Sequence, residues 1–444
     1  MTSSRRSLAG VCLFVFVVLG CANSAFAIPV FARKYGLRCS ACHLAWPILN
    51  DFGWRFKDNG YQLMNDRDAP IWQNPSYWPV AFRFTPHLHR ESSNKVGVDT
   101  AAGPSSGEVT ITQHGFDLSG LDILSGGTLE KNISFLLVPS ADETGVFGFE
   151  SAWVRFDNLF HTPWVNVKFG KFELDNWLSE KRIISLSSAA GGYALYHFVP
   201  AGDNNVFGQL GDNQLGVEFS SHSYNDHTRF SAALLSSNDG QPDLVNANSY
   251  SGYFAFTQGF DLGQLGLQRV GAFAFIGQAP TFSLTADGNP VPGSSLGKKN
   301  FSREGFFGDF FIQKFDVGVY FQHGSDDKYF ATSTPGNAPL PVGARDVSWN
   351  GLFIEPHFTV HPQWILFQRS EFIRMSQQAL PTTPSDFGNL DAYTFGTRWY
   401  PIMTSRAGLA LHLEYSWLRQ RRAAPVTGTD LTNNSVFFGT DFDF

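Results

Sequence analysis

The sequence predicts an all-β transmembrane barrel of about 16 antiparallel strands behind a small N-terminal α-helical domain. Three observations carry this reading. The first is composition: Phe alone contributes 44 of 444 residues, Trp 11 and Tyr 13, while charged residues are only 16%. Mean hydropathy is nevertheless near neutral at −0.13, and no stretch beyond the N-terminal leader approaches the ~18 apolar residues of a membrane helix. Strands that alternate apolar-out with polar-in conceal their lipid face from an averaged scale, so aromatics without an apolar helix point to a barrel. The second is period-two alternation, and the third is the alternation of loop lengths; both are set out below.

The chain opens with Arg5 and Arg6, an apolar run from Leu8 to Leu19, and Ala25-Phe26-Ala27, a small-x-small cleavage site. Residues 1–27 therefore read as an export signal, with the mature chain starting at Ile28 and Cys12 and Cys21 removed. The run is too short for a membrane anchor. A rival lipoprotein-type site at Leu19-Gly20-Cys21 fits less well because Leu19 is bulky. Loss of two arginines takes the net charge from −7 to −9. That balance argues against nucleic acid as a partner, which requires a concentrated positive surface.

Residues 28–76 form the expected N-terminal domain, and they hold the pentad Cys39-Ser40-Ala41-Cys42-His43. Two thiols three positions apart, followed at once by a histidine, suit two thioether bonds to a haem with the imidazole on the iron. Cys39 and Cys42 are accordingly the expected covalent attachment points of one haem c, making this a cytochrome c-like haem domain, and His43 the proximal axial ligand. A thiol redox pair or half a zinc site is the other use of CxxC, but zinc needs two further ligands and no second cysteine pair remains after export. Met64, the only methionine of the domain and 21 residues after His43, is the candidate distal ligand. Its ordinary use would be apolar packing. His87 and His89 are the alternative distal ligands, and another histidine or an open position are further options. About fifty residues have little core of their own, so something else must cover the cofactor.

Residues 77–444 read as the barrel. Alternation is clearest at 214–220, where Leu215, Val217 and Phe219 interleave with Gly216 and Glu218. It recurs at 408–418, with Leu409, Leu411, Leu413, Tyr415 and Trp417 opposite Ala410, His412, Glu414 and Ser416. Further candidates lie near 79–90, 109–123, 132–139, 147–157, 163–171, 228–236, 249–258, 266–277, 304–313, 315–323, 346–359, 364–376, 390–400 and 434–444, sixteen in all. Connections alternate between long (91–108, 172–207, 419–433) and short (124–131, 158–162, 221–227), as outer-membrane barrels alternate extracellular loops with periplasmic turns. Both chain ends then face the periplasm. In the last strand Val436, Phe438, Thr440, Phe442 and Phe444 share one face, and an aromatic final residue resembles the insertion signal of outer-membrane barrels. Parity places Arg83, Thr85, His87, His89, Glu218, Arg229, Glu355, His357, His412 and Glu414 in the lumen, as a solvated pore wall.

Ile28-Pro29-Val30-Phe31-Ala32-Arg33, the pentad, and Pro47-Ile48-Leu49-Asn50-Asp51-Phe52-Gly53-Trp54-Arg55-Phe56-Lys57-Asp58-Asn59-Gly60-Tyr61 resemble the fused outer-membrane monohaem cytochrome c-porin family of iron-oxidising bacteria. In that family an N-terminal monohaem cytochrome domain is continuous with a sixteen-stranded barrel. Trp46 and Gly53-Trp54-Arg55 depart from the pattern. The resemblance implies a protein of the Gram-negative outer membrane, with its haem domain in the lumen or on the periplasmic side. It would move electrons from an extracellular donor, ferrous iron or another reductant, to a periplasmic carrier, a cytochrome or copper protein. As an enzyme it would be an iron(II) oxidase acting as a c-type electron carrier.

The alternative is a solute porin whose haem domain is plug, gate or sensor and whose 172–207 connection folds into the lumen. An enzyme acting on a small molecule at an open haem position is a weaker third. The acidic pairs Asp142-Glu143 and Asp326-Asp327 are expected in extracellular loops, where carboxylates could hold ferrous iron loosely. Arg419, Arg421 and Arg422 read as a charged loop edge. No nucleophile-base arrangement, phosphate loop or paired catalytic carboxylates stand out.

Overall fold

The computed structural model describes residues 30–45, 48–63, 79–100, 103–141, 145–176, 194–198, 210–211, 213–237, 249–280, 297–328, 346–375, 389–404, 407–421 and 430–444. Its sixteen long strands close into one antiparallel barrel in which each strand pairs with its sequence neighbours. The strands are β1 (Val80–Thr100), β2 (Gly103–Glu130), β3 (Ile133–Ala141), β4 (Phe147–Phe156), β5 (Asn166–Phe172) and β6 (Gln214–His222). They continue with β7 (Thr228–Ser237), β8 (Ser251–Asp261), β9 (Leu267–Pro280), β10 (Lys298–Ile312) and β11 (Phe315–Asp326). The circle is completed by β12 (Val347–His361), β13 (Trp364–Met375), β14 (Leu390–Met403), β15 (Gly408–Gln420) and β16 (Leu431–Asp443).

β16 pairs with β1, bringing Gly439 opposite His87 and Asp443 opposite Arg83. Phe444 extends this seam: its N–H donates to Phe82 O at 3.0 Å, and Phe82 N–H donates back to Phe444 O at 2.8 Å. Closure removes the unpaired edges that an open sheet would present to lipid.

The expected alternation holds around the wall. Ala410, His412, Glu414 and Ser416 of β15 are buried inward, while Leu413 and Tyr415 are exposed outward. Phe306, Phe395, Trp399 and Phe438 belong to the same apolar outer face. A continuous apolar belt around a closed barrel is a lipid face. Connections at 131–132, 157–165, 223–227, 262–266, 313–314, 362–363 and 404–407 join the strands at one rim, with both ends of the strand series, and the remaining connections join them at the other.

Two expectations are corrected. The long connection at 91–108 is instead a continued β1–β2 hairpin. Its stretch Glu91-Ser92-Ser93-Asn94-Lys95 is polar on both faces, so it carries no alternation to read. Asp326 is no loop acid either: it ends β11 fully buried, 2.7 Å from Arg303 Nη1, and so is unavailable to a loosely held cation. Residues 1–27, Met64, Asp142, Glu143 and Arg422 lie outside the described residues.

Among the described residues three short helices precede the barrel: α1 (Val30–Tyr35), α2 (Cys39–Cys42) and α3 (Asp51–Asp58). α3 starts where the Asn50 side chain accepts from Gly53 N–H at 2.9 Å, with Asp51 in its first turn and Arg55 and Lys57 in its last, charges that complement the helix dipole. It stops at Asn59-Gly60, where Gly60 has φ +73° and an added Cβ would sit 2.7 Å from an Asp157 carboxylate oxygen.

Candidate functional site

The helical segment lies inside the barrel at the turn rim, held by lumen-facing residues from several sides. Arg229 on β7 grips Asp58 of α3 with Nε at 2.5 Å and Nη2 at 3.1 Å. Arg269 on β9 reaches Asp51 at 2.6 Å, and Arg155 on β4 donates to Lys57 O at 2.7 Å. Arg33 of α1 donates to Val80 O at 2.7 Å. Between these anchors Phe31 stacks on Tyr61 at 4.4 Å, and Tyr61 lies 6.0 Å from Trp153 on β4. The Arg229 guanidinium also lies 4.8 Å above the Trp54 ring.

The pentad is built on this base. Cys39 to Cys42 form a single helical turn, after which His43 leaves in extended conformation (φ −124°, ψ 141°). Asn50 fastens the turn to α3: its N–H donates to Cys42 O at 2.9 Å and its amide to Ala41 O at 3.0 Å. Gly53 permits the approach, since a Cβ there would lie 2.1 Å from Cys42 O.

The Cys39 side chain faces a crevice in the barrel wall lined by Tyr400, Met403, Leu409, Ala410, Asp441 and Asp443. Both cysteines are free. Burial, with Asp443's charge adding to it, pushes the Cys39 thiol up to about 12, and burial pushes Cys42 to about 11. A thiol-exchange pair works through a lowered thiol, so this environment opposes that use of CxxC. The donor set, two free thiols one turn apart and the next residue's imidazole, fits a covalently held haem.

His87 and His89 face the lumen from β1 as parity requires. His87 stacks on Phe437 at 4.4 Å, and in the register it pairs with Asp117 of β2. Sequence reasoning missed Asp117, whose place beside the histidines depends on strand register. It also missed Met403, a second thioether, which sits at the Cys39 crevice although more than three hundred residues separate them.

The wall is not the solvated pore expected. Glu218 pairs with Lys168 at 2.5 Å, and His357 lies between Asp316 at 2.9 Å and Glu355 at 2.8 Å. His412 meets Glu414 at 2.8 Å. All are buried, whereas Arg83 and His89 keep part of their surface exposed in the lumen. Residues 194–198, between β5 and β6 in sequence, pack against the inner wall: Ala194 and Leu195 donate backbone N–H groups to Glu371. Tyr196 packs edge-on against Tyr320 at 5.0 Å, and Tyr320 stacks on Phe353 at 5.0 Å.

Near the turn rim, acids around one arginine diverge. Burial opposes ionisation of Asp58, but Arg229 outweighs it and holds the carboxyl well below the usual range. Asp175, on the same guanidinium at 2.9 Å, is likewise lowered, Arg229 again overcoming burial. Asp226 is pushed well above its ordinary value by burial and then by the charge of Asp58.

No protein-family model matches the chain, and no curated protein matches it. Solved structures do. The anion-selective porin from Comamonas acidovorans is 13% identical with a TM-score of 0.50, over 82% of this chain and 99% of its own. The outer membrane channel DcaP of Acinetobacter baumannii is 10% identical with a TM-score of 0.48, over 82% and 97%. OprB of Pseudomonas putida is 9% identical with a TM-score of 0.46, over 82% and 94%. At these identities the likeness concerns fold alone, and the chain is a closed sixteen-stranded barrel resembling the outer-membrane porins.

Proposed function

We propose that this chain is an outer-membrane electron-transfer protein carrying one haem c on Cys39 and Cys42, with His43 as proximal ligand and Met64 as distal ligand. It passes electrons from extracellular ferrous iron to a periplasmic carrier, in the manner of the cytochrome c-porins that residues 28–61 resemble. The observation that carries this reading is the position of the pentad, inside the turn rim and fixed to α3, which is itself anchored by Arg155, Arg229 and Arg269. A haem held there supplies one-electron chemistry. The chain's own contribution is placement. Asn50 and Gly53 seat the attachment turn on α3, and Tyr400, Leu409 and Ala410 present apolar surface beside Cys39. A hydrocarbon core of about 30 Å separates donor from carrier, and a cofactor inside the barrel lies closer to the extracellular donor than one in the periplasm.

A second reading, a solute porin plugged by its N-terminal segment, is favoured by the packing of residues 194–198 against the inner wall and by the porin-like fold. Two measurements on purified full-length protein separate them. Electron transfer predicts a c-type spectrum that anoxic ferrous iron reduces, and liposomes that stay closed to small solutes. An oxidised spectrum after iron addition, with free solute passage, transfers the conclusion to the porin. Replacing Cys39 and Cys42 together by Ala should abolish covalent haem staining, and staining that survives overturns the attachment assignment.

A further inference from the structure

We propose that His87, His89 and Asp117 form a lumenal binding site for a divalent first-row transition ion. Directly opposed residues of an antiparallel pair share a face, so the register His87 to Asp117 puts both side chains in the lumen, and His89 two residues on joins them. One nitrogen from each imidazole and one carboxylate oxygen lie within 4.8 Å of one another. The centre of such a triangle is about 2.8 Å from each corner, against bonds of about 2.0–2.2 Å to imidazole and carboxylate. Each side chain need move inward by less than about 1 Å, within its rotamer well.

The surroundings suit an ion. The Phe437 ring holds His87 from one side. Gly439, opposite His87 across the seam, leaves that ring its place, since a Cβ there would be 2.5 Å from Phe437 Cε1. Gly115, opposite His89, leaves open space where a Cβ would meet nothing within 4 Å, room for water on the remaining coordination positions. A Glu91 carboxylate oxygen lies 4.0 Å from His89 Nδ1, adding negative charge beside the site. Two imidazoles and one carboxylate with open positions favour Fe²⁺, Co²⁺ or Zn²⁺ over Mg²⁺ or Ca²⁺.

Assigning ferrous iron as the ion taken in the cell rests on the proposed function; binding itself does not. Asp443, which lines the Cys39 crevice, pairs with Arg83, and Gly439, four residues earlier, pairs with His87. At about 3.3 Å per residue the ion would sit about 13 Å along the wall from that crevice.

Tag-free full-length protein in detergent, titrated with Co²⁺ and followed by visible absorption and calorimetry, tests the site. Wild type should bind one equivalent, and Asp117→Asn and His89→Ala should each weaken binding at least about tenfold while the barrel keeps its heat-modifiable gel mobility. The haem-free Cys39→Ala, Cys42→Ala variant should bind Co²⁺ as wild type does, so loss of the haem assignment would leave this site standing. Wild type that takes up no Co²⁺, or titrations unchanged in both site variants, overturns it.

Discussion

Arg229 holds Asp58 of α3 and Asp175 of the segment after β5 with one guanidinium, Nη2 reaching the first at 3.1 Å and the second at 2.9 Å. The plug and the segment after β5 therefore share one anchor on β7. Arg229→Met leaves the buried Asp58 and the partly buried Asp175 without their cation, a loss of about 3–5 kcal/mol where the partner of a buried pair is removed. We expect the N-terminal segment to become protease-sensitive and ion conductance to rise in planar bilayers, with the barrel intact on gels. Unchanged conductance and proteolysis would show that the other anchors suffice.

The same arginine sets a pH dependence. Asp58 is lowered in the folded protein, so its contribution is complete above the ordinary carboxylate range near 4 and is lost as pH falls through and below it. Plug release followed by conductance should therefore appear on acidification below about pH 4. In Asp58→Asn the neutral-pH conductance should already be raised, with a shallower acid response.

Gly53→Ala should separate α3 from the attachment turn, because the new methyl would fall 2.1 Å from Cys42 O. The expected result is reduced covalent haem content with normal barrel yield. Equal haem content per barrel would mean that the turn can shift without losing its attachment geometry.

In haem-free protein the two thiols should alkylate slowly at pH 8, with Cys42 reacting before Cys39 as pH rises, since Cys42 is raised to about 11 and Cys39 to about 12. Mass spectrometry of iodoacetamide adducts reads the order directly. Rapid labelling of Cys39 at neutral pH would show that the thiol does not rest against the wall.

Met64→Ala should remove the sulfur-to-iron charge-transfer absorption and lower the reduction potential, while Met403→Ala leaves both alone. The reverse pattern would give the distal position to the barrel wall, where Met403 lines the Cys39 crevice.

Strand number and facing were legible because a barrel wall has one strict period: His412 and Glu414 fall inward and Leu413 outward by parity alone. The helical turn at Cys39–Cys42 is local, and Asn50 and Gly53 that seat it lie within about ten residues of it. The pairings Asp51 to Arg269 and Asp58 to Arg229 join positions about two hundred residues apart, and no local pattern announces them. Asp326 was misplaced for the converse reason: its neighbour Asp327 made an acidic pair look like loop, whereas Arg303 on β10 neutralises it inside the wall. Asp117 escaped because register, which brings it to His87, is decided by strands acting together.

The seam at Phe82 and Phe444 bears on how the molecule is made. The wall can meet itself only after β16 has been synthesised, whereas the segment that occupies its turn rim precedes every strand in sequence. The pentad is thus present in the growing chain before any part of the wall that encloses it. Any cofactor joined to it beforehand would become cargo around which the barrel folds.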